Sequence, residues 1–181
     1  ERYIPEQARI VVVDHRRSLL GVVPETHRAG YGSSADSTAA IAREVAKAMR
    51  ARVPGPDVTP EQLKDRSWWT GPEVFVLVDD YDLVTAATPN PLAPLAEFLP
   101  LARDVGLHLV VARRSGGASR AMFEQLMQRL KELNTPGLMM SGNRDEGALL
   151  GTVKGSPLPP GRAWLVTRRA GPRLIQLANR P

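Results

Sequence analysis

The chain has 181 residues, 43% of them hydrophobic and 24% charged, with no cysteine and a formal net charge of +5. This much apolar content excludes a disordered chain, and no apolar run approaches the ~20 residues of a membrane-spanning helix. Without cysteine there is no disulfide framework, no thiolate zinc site and no cysteine nucleophile.

The start, Glu1-Arg2-Tyr3-Ile4-Pro5, lacks the short apolar stretch behind a basic head that marks a signal peptide, so a cytoplasmic chain is expected. Arg9-Ile10-Val11-Val12-Val13-Asp14 is a continuous β-branched run, as in a parallel strand buried on both faces. Ser34 or Asp36 can cap a helix reaching about Arg52, with Ile41, Val45, Ala48 and Met49 on one face. Val53-Pro54-Gly55-Pro56-Asp57 breaks it. Thr59-Pro60-Glu61-Gln62 predicts a second helix start, with Thr at the cap, Pro at the first helical position and Gln three residues on.

Val74-Phe75-Val76-Leu77-Val78 is a second buried strand, ending in Asp79-Asp80. Asn90-Pro91 opens a further helix with Leu92, Leu95, Ala96 and Leu99 on one face, which Pro100 must kink or interrupt. Leu107 to Ala112 is a third strand, followed by Arg113-Arg114-Ser115-Gly116-Gly117. A helix from about Ser119 to Leu133 is expected to bury Met122, Leu126 and Leu130. Gly137 to Met140, Ala163 to Thr167 and Leu174 to Leu177 read as later strands. Strands separated by helices imply crossover units and a parallel sheet with helices on both faces, in one α/β domain over 1–181.

In such sheets ligands bind at the carboxyl ends of the strands. Three polar clusters fall there: Asp14 with His15, Asp79 with Asp80, and Arg113-Arg114-Ser115. An apolar strand running into Asp-Asp looks like a Walker B strand, whose first carboxylate holds a magnesium-bound water while the second acid orients the attacking water. Acidic residues also end strands as turn formers, so the pair alone does not decide. None of the four lysines (47, 64, 131, 154) sits in a G-x-x-x-x-G-K-[ST] loop. No G-x-S-x-G or H-E-x-x-H occurs, and His108 lies inside a strand. Trp68-Trp69 reads either as packing beneath the sheet or as a partner dock. The twenty arginines are scattered in pairs at most, as on a solvated surface, and no specific nucleic-acid partner is expected.

The order of these segments resembles the back two-thirds of an FtsK/SpoIIIE-type ATPase domain. Phe75-Val76-Leu77-Val78-Asp79-Asp80 leads to Gly106-Leu107-His108-Leu109-Val110-Val111-Ala112-Arg113-Arg114. Asp145-Glu146-Gly147-Ala148-Leu149-Leu150-Gly151 and Gly161-Arg162-Ala163-Trp164-Leu165-Val166 follow. The chain looks closest to the C-terminal ATPase module of the EccC family of type VII (ESX) secretion motors, over essentially all 181 residues. The resemblance implies a RecA-like fold whose phosphate loop would lie upstream of Glu1, so that 1–181 is a single, N-terminally incomplete domain. It implies ATP and Mg as ligands of the complete domain, with little binding to this chain alone. It also implies an Esx/WXG100 substrate tail, the other EccC modules and the membrane secretion complex as partners, and a place in the cytoplasm or on the cytoplasmic face of the inner membrane.

By the same resemblance Asp79 would hold Mg through water and Asp80 would be the second acid, one methylene shorter than the family's Glu. An acid displaced by about an ångström can cost on the order of 100-fold in rate. Arg113, Arg114 and Ser115 would stand on the phosphate side, where the related motors carry Thr-Gln. Both departures imply a nucleotide-responsive module with feeble hydrolysis, the alternative being a catalytically competent FtsK-like motor ATPase or DNA translocase. Ile41, Val45 and Met49, or Trp68 and Trp69, are the candidate surfaces for the substrate tail.

Overall fold

Ala8–Val13 forms β1, and its branched side chains suit a strand covered on both faces: Val11, Val12 and Val13 are all buried. The structure, a computed structural model, describes residues 3–177; Glu1 and Arg2, the head of the N-terminal reading, lie outside the described residues. β1 is central. It pairs in parallel with β2, Arg28–Gly32, on one side and with β3, Glu73–Val78, on the other. β4, Leu107–Val111, pairs in parallel with β3, giving the order β2-β1-β3-β4. Strand β2 carries no apolar run. Its Gly30 and Gly32 lie under the next helix, where a Cβ would meet Ile41 at 3.4 Å and Thr38 Oγ1 at 2.8 Å.

That helix, α1, spans Ala35–Arg50 behind a Ser34 cap that exchanges hydrogen bonds with Ser37. Its buried stripe is Thr38, Ala42, Val45, Ala46 and Met49; Ile41 is half-buried and Ala48 exposed. The expected face is thus rotated toward the small Ala42 and Ala46, which let the helix approach its neighbours closely. Removing Val45 and Met49 from water stabilises by about 1.5–3 kcal/mol each. α2, Pro60–Asp65, starts at the expected Thr59–Gln62 capping box. A short helix, α3, Tyr81–Val84, follows β3.

The helix expected after Asn90 is a 3-10 run, Ala93–Leu101, leading into α4, Ala102–Val105. Pro94 lies in the first turn, where no amide donor is needed, but the ring of Pro100 crowds the carbonyl four residues back and breaks an α-helical ladder. Leu92, Leu95, Phe98 and Leu99 are buried; Ala96 is half-buried.

Glu1–Arg113 and Arg114–Pro181 are two compact units. In the second, the single helix expected over 119–133 is two: α5, Ala118–Ala121, and α6, Gln125–Glu132. Glu124 adopts an extended backbone and its side chain accepts from Met127 N, starting a new helix rather than continuing the old one. Only Leu126 of the expected apolar stripe is buried; Met122 and Leu130 are half-buried.

β5, Gly137–Met139, comes next, and β6, Ala148–Leu150, pairs antiparallel with β7, Val153–Lys154. β8, Arg162–Thr167, and β9, Gly171–Gln176, join β5 in an antiparallel sheet of order β5-β8-β9. The parallel α/β organisation therefore ends with β4. No crossover helix separates β8 from β9, and a short turn can join only antiparallel neighbours. Ala118, Met139, Leu149 and Val153 form this unit's core, with Trp164 and Val166 packed on it. The basic surplus also sits here: the first unit has 13 basic and 15 acidic residues, the second 11 and 4. Arg162, Arg168, Arg169 and Arg173 are exposed along the β8–β9 hairpin. Among the described residues no helix is long and apolar enough to cross a membrane.

Candidate functional site

At the carboxyl end of the parallel sheet, main-chain hydrogen bonds carry the strand pairing one residue further. Asp14 N donates to Gly32 O at 2.9 Å, Asp79 N to Val13 O at 2.9 Å and Ala112 N to Val78 O at 2.8 Å. Asp14, Asp79 and Arg113 thus follow neighbouring strands at one edge, as expected of three of the polar positions.

Asp14 is fully buried. Its carboxylate accepts from Leu19 N at 2.7 Å, Arg16 N at 3.0 Å and the Tyr31 hydroxyl at 2.7 Å, with the Ser18 hydroxyl at 3.4 Å. Burial pushes this carboxyl up, but the Leu19 amide and the Tyr31 hydroxyl, with the amides of Ser18 and Arg16, outweigh it and hold the group below its ordinary range. Burial, the hydrogen bond to Asp14 and the Asp14 charge together push the Tyr31 phenol up to about 12. Beside them His15 Nε2 lies 3.0 Å from the hydroxyl of buried Thr38. Asp14 therefore folds the 14–19 loop around itself.

The loop delivers two groups to the acidic pair. The Ser18 hydroxyl donates to Asp79 Oδ2 at 3.0 Å, and Arg16 Nε lies 2.9 Å from Asp80 Oδ2. Asp80 has a left-handed backbone, φ 43°, which costs a non-glycine residue about 1 kcal/mol and which Asp tolerates better than most. A fourth carboxylate, Asp82 on α3, pairs with Arg113 at 2.9 Å, both side chains being largely buried. Arg113 belongs to the first unit. Arg114 and Ser115 belong to the second, where Ser115 O accepts from Ala118 N and the Ser115 side chain lies against Gly142.

Sequence reasoning missed Arg16, Ser18, Tyr31 and Asp82. Nothing in the run Asp14-His15-Arg16-Arg17-Ser18 singles out the first two, because their role depends on β1 lying beside β3, which only the structure shows.

The acids do not fit a resident divalent cation as they stand. Asp79 and Asp80 each have a partner from the 14–19 loop, and among the described residues no group of three His, Cys, Asp or Glu could hold a metal ion. Nor does the chain contain a glycine-rich loop ending in Lys and Ser or Thr to cradle phosphates.

Of the other candidates, Val45 and Met49 lie in the core, and Ile41 alone of that face keeps partial exposure. Trp68 and Trp69 are half-exposed at the amino end of the sheet. Trp68 Nε1 donates to Arg52 O at 2.7 Å and Trp69 Nε1 to Asp104 O at 2.8 Å. The Arg52 guanidinium stacks over Trp69, 4.2 Å from the ring centroid, and donates to Val105 O and Pro72 O. Nearby, Glu73 is paired with His108 and Arg66, and Phe75 stacks on the His108 ring at 4.3 Å. Burial pushes the Glu73 carboxyl up, but the His108 hydrogen bond and charge and the Arg66 guanidinium bring it below its ordinary range.

No protein-family model matches the sequence. The ESX secretion system protein EccC of Thermomonospora curvata is 56% identical over 180 residues, 99% of this chain and 14% of that protein. The solved structure of T. curvata EccC (ATPases 2 and 3) in complex with a signal sequence peptide superposes with a TM-score of 0.94. It is 56% identical, and the match covers 100% of this chain and 32% of that one. A structure described as an ATPase is 34% identical with a TM-score of 0.86, covering 98% of this chain and 70% of that one. The chain thus spans about one seventh of the length of the curated relative at 56% identity. With a parallel four-stranded sheet ending in the Asp79-Asp80 pair and this identity across its length, the chain belongs to the EccC family of ESX type VII secretion ATPases.

Proposed function

We propose that this chain is a substrate-recognising, regulatory ATPase module of an ESX secretion motor, working at the cytoplasmic face of the membrane with the other EccC modules. It binds the C-terminal signal of an Esx/WXG100 substrate and turns nucleotide over weakly or not at all. One observation carries the reading: the relative that superposes on the whole of this chain at 56% identity was solved with a signal sequence peptide. The partnered acids support the second half, because carboxylates tied to Arg16 and Ser18 are not free to position a water.

The Trp68–Trp69 corner is the surface we assign to the peptide, since both rings keep exposed area while Val45 and Met49 are enclosed. Short amphipathic tails dock by seating a few apolar anchors at helical spacing. Fluorescence anisotropy with an Esx-type C-terminal peptide tests this. Binding of about micromolar strength is expected, weakened when the apolar anchors become Ala and little altered by salt. No peptide binding, together with duplex DNA binding of steep salt dependence on the basic second unit, would replace this reading with a DNA translocase.

A further inference from the structure

Four carboxylates, Asp14, Asp79, Asp80 and Asp82, stand where the β1 and β3 strands end, and each is answered from within the chain. Asp14 is satisfied by amides and the Tyr31 hydroxyl, and Asp82 is ion-paired with Arg113. Asp79 takes the Ser18 hydroxyl and Asp80 takes Arg16. We propose that Arg16 and Ser18 fill the cation place of the Asp79–Asp80 pair, closing it to divalent metal ions while the 14–19 loop keeps its fold.

Three features support this closure. First, the loop is not free to drift: the amides of Arg16 and Leu19 both end on the buried Asp14 carboxylate, so Arg16 and Ser18 are aimed before any ligand arrives. Second, Ser18 has one hydroxyl hydrogen and two carboxylates in reach, Asp79 at 3.0 Å and Asp14 at 3.4 Å. The shorter contact gives Asp79 the kind of hydrogen bond that a metal-bound water would otherwise donate. Third, Arg16 supplies a permanent positive charge that is only weakly hydrated, whereas Mg²⁺ loses its waters reluctantly. To enter, a metal ion must displace a guanidinium and a hydroxyl that are already in place. This deepens the proposed weak turnover, but it concerns metal binding alone and does not rest on peptide recognition.

Mn²⁺ titration of the 181-residue chain without nucleotide, read by electron paramagnetic resonance, tests it. The unaltered chain should hold no Mn²⁺ at about 1 mM, the weak limit of oxygen-ligand sites. Arg16→Ala with Ser18→Ala should bind at least about tenfold more tightly, the scale of removing a neighbouring unit charge. Arg16→Lys should stay closed, and adding Asp79→Asn and Asp80→Asn to the opened variant should abolish the gain. Arg16→Ala alone, at a side chain 54% exposed, provides a folded variant should the double change unfold. The proposal is overturned if the unaltered chain binds Mn²⁺ as tightly as the opened variants. A folded opened variant that gains nothing, or a gain that survives loss of both acids, would overturn it equally. Peptide binding measured alongside keeps the outcome separate from the recognition reading.

Discussion

At the amino end of the parallel sheet, Glu73 lies between His108 and Arg66, and Arg52 spans the Trp69 ring and two main-chain carbonyls. At the carboxyl end, Asp14 gathers amides and a phenol, and the loop it holds presents Arg16 and Ser18 to Asp79 and Asp80. Both ends place charge beside the same four strands. The amino end backs its charges with large rings, so its ion pairs also fill volume. The carboxyl end rests on one buried carboxylate and a short loop, so its outer contacts can be removed with little loss of packing. Stability should therefore be concentrated at Asp14 and at the tryptophan corner, while ligand access is controlled by the exposed loop side chains.

The largest effect expected from breaking this arrangement is at Asp14. Asp14→Ala strands the Leu19 and Arg16 amides and the Tyr31 hydroxyl and should cost about 3–4 kcal/mol in urea unfolding. At the other end, Gly106 has φ +69°, and a Cβ there would lie 2.6 Å from the Trp69 ring. Gly106→Ala should therefore cost about 2–3 kcal/mol, read the same way.

The pH dependence follows from the directions of the shifts. Asp14 and Glu73 sit below their ordinary range in the fold, so they contribute stability above the unfolded carboxyl range that is lost as acid titrates them. Asp14→Asn and Glu73→Gln should each flatten the acid limb of a stability–pH curve. Tyr31 is shifted the other way. Its contribution, on the order of 2 kcal/mol, is present below its unfolded pKa near 10 and lost as pH rises toward about 12. Tyr31→Phe should remove that alkaline step. The smallest effect is at Arg16, whose half-exposed ion pair contributes about 0–1 kcal/mol. Arg16→Ala should leave urea unfolding almost unchanged.

The strands beside these sites were legible where the apolar run is near-continuous, even for the edge strand β4, whose Val110 is exposed. Ile10 to Val13, Val74 to Val78 and Leu107 to Val111 are apolar runs that match β1, β3 and β4. Arg28–Gly32 was not legible, because an edge strand carrying two glycines under a helix has no apolar period to read. The Ser34 and Thr59 caps were legible because capping is local chemistry; the buried stripe of α1 was not, because Ala42 and Ala46 face the core by being small. In the second unit the absence of helix periodicity between Met140 and Arg162 was the available sign of antiparallel pairing. At the site, the acids announced themselves as a run. Arg16 and Ser18 did not, since their role exists only once β1 lies beside β3.

The most direct measurement is signal-peptide binding to the unaltered chain in EDTA, with neither nucleotide nor divalent cation present. Recognition that is independent of a closed metal site requires binding of about micromolar strength there, unchanged when ATP and Mg²⁺ are added. Binding that appears only with ATP and Mg²⁺ would contradict it, because the acidic pair would then be open to metal and coupled to the peptide.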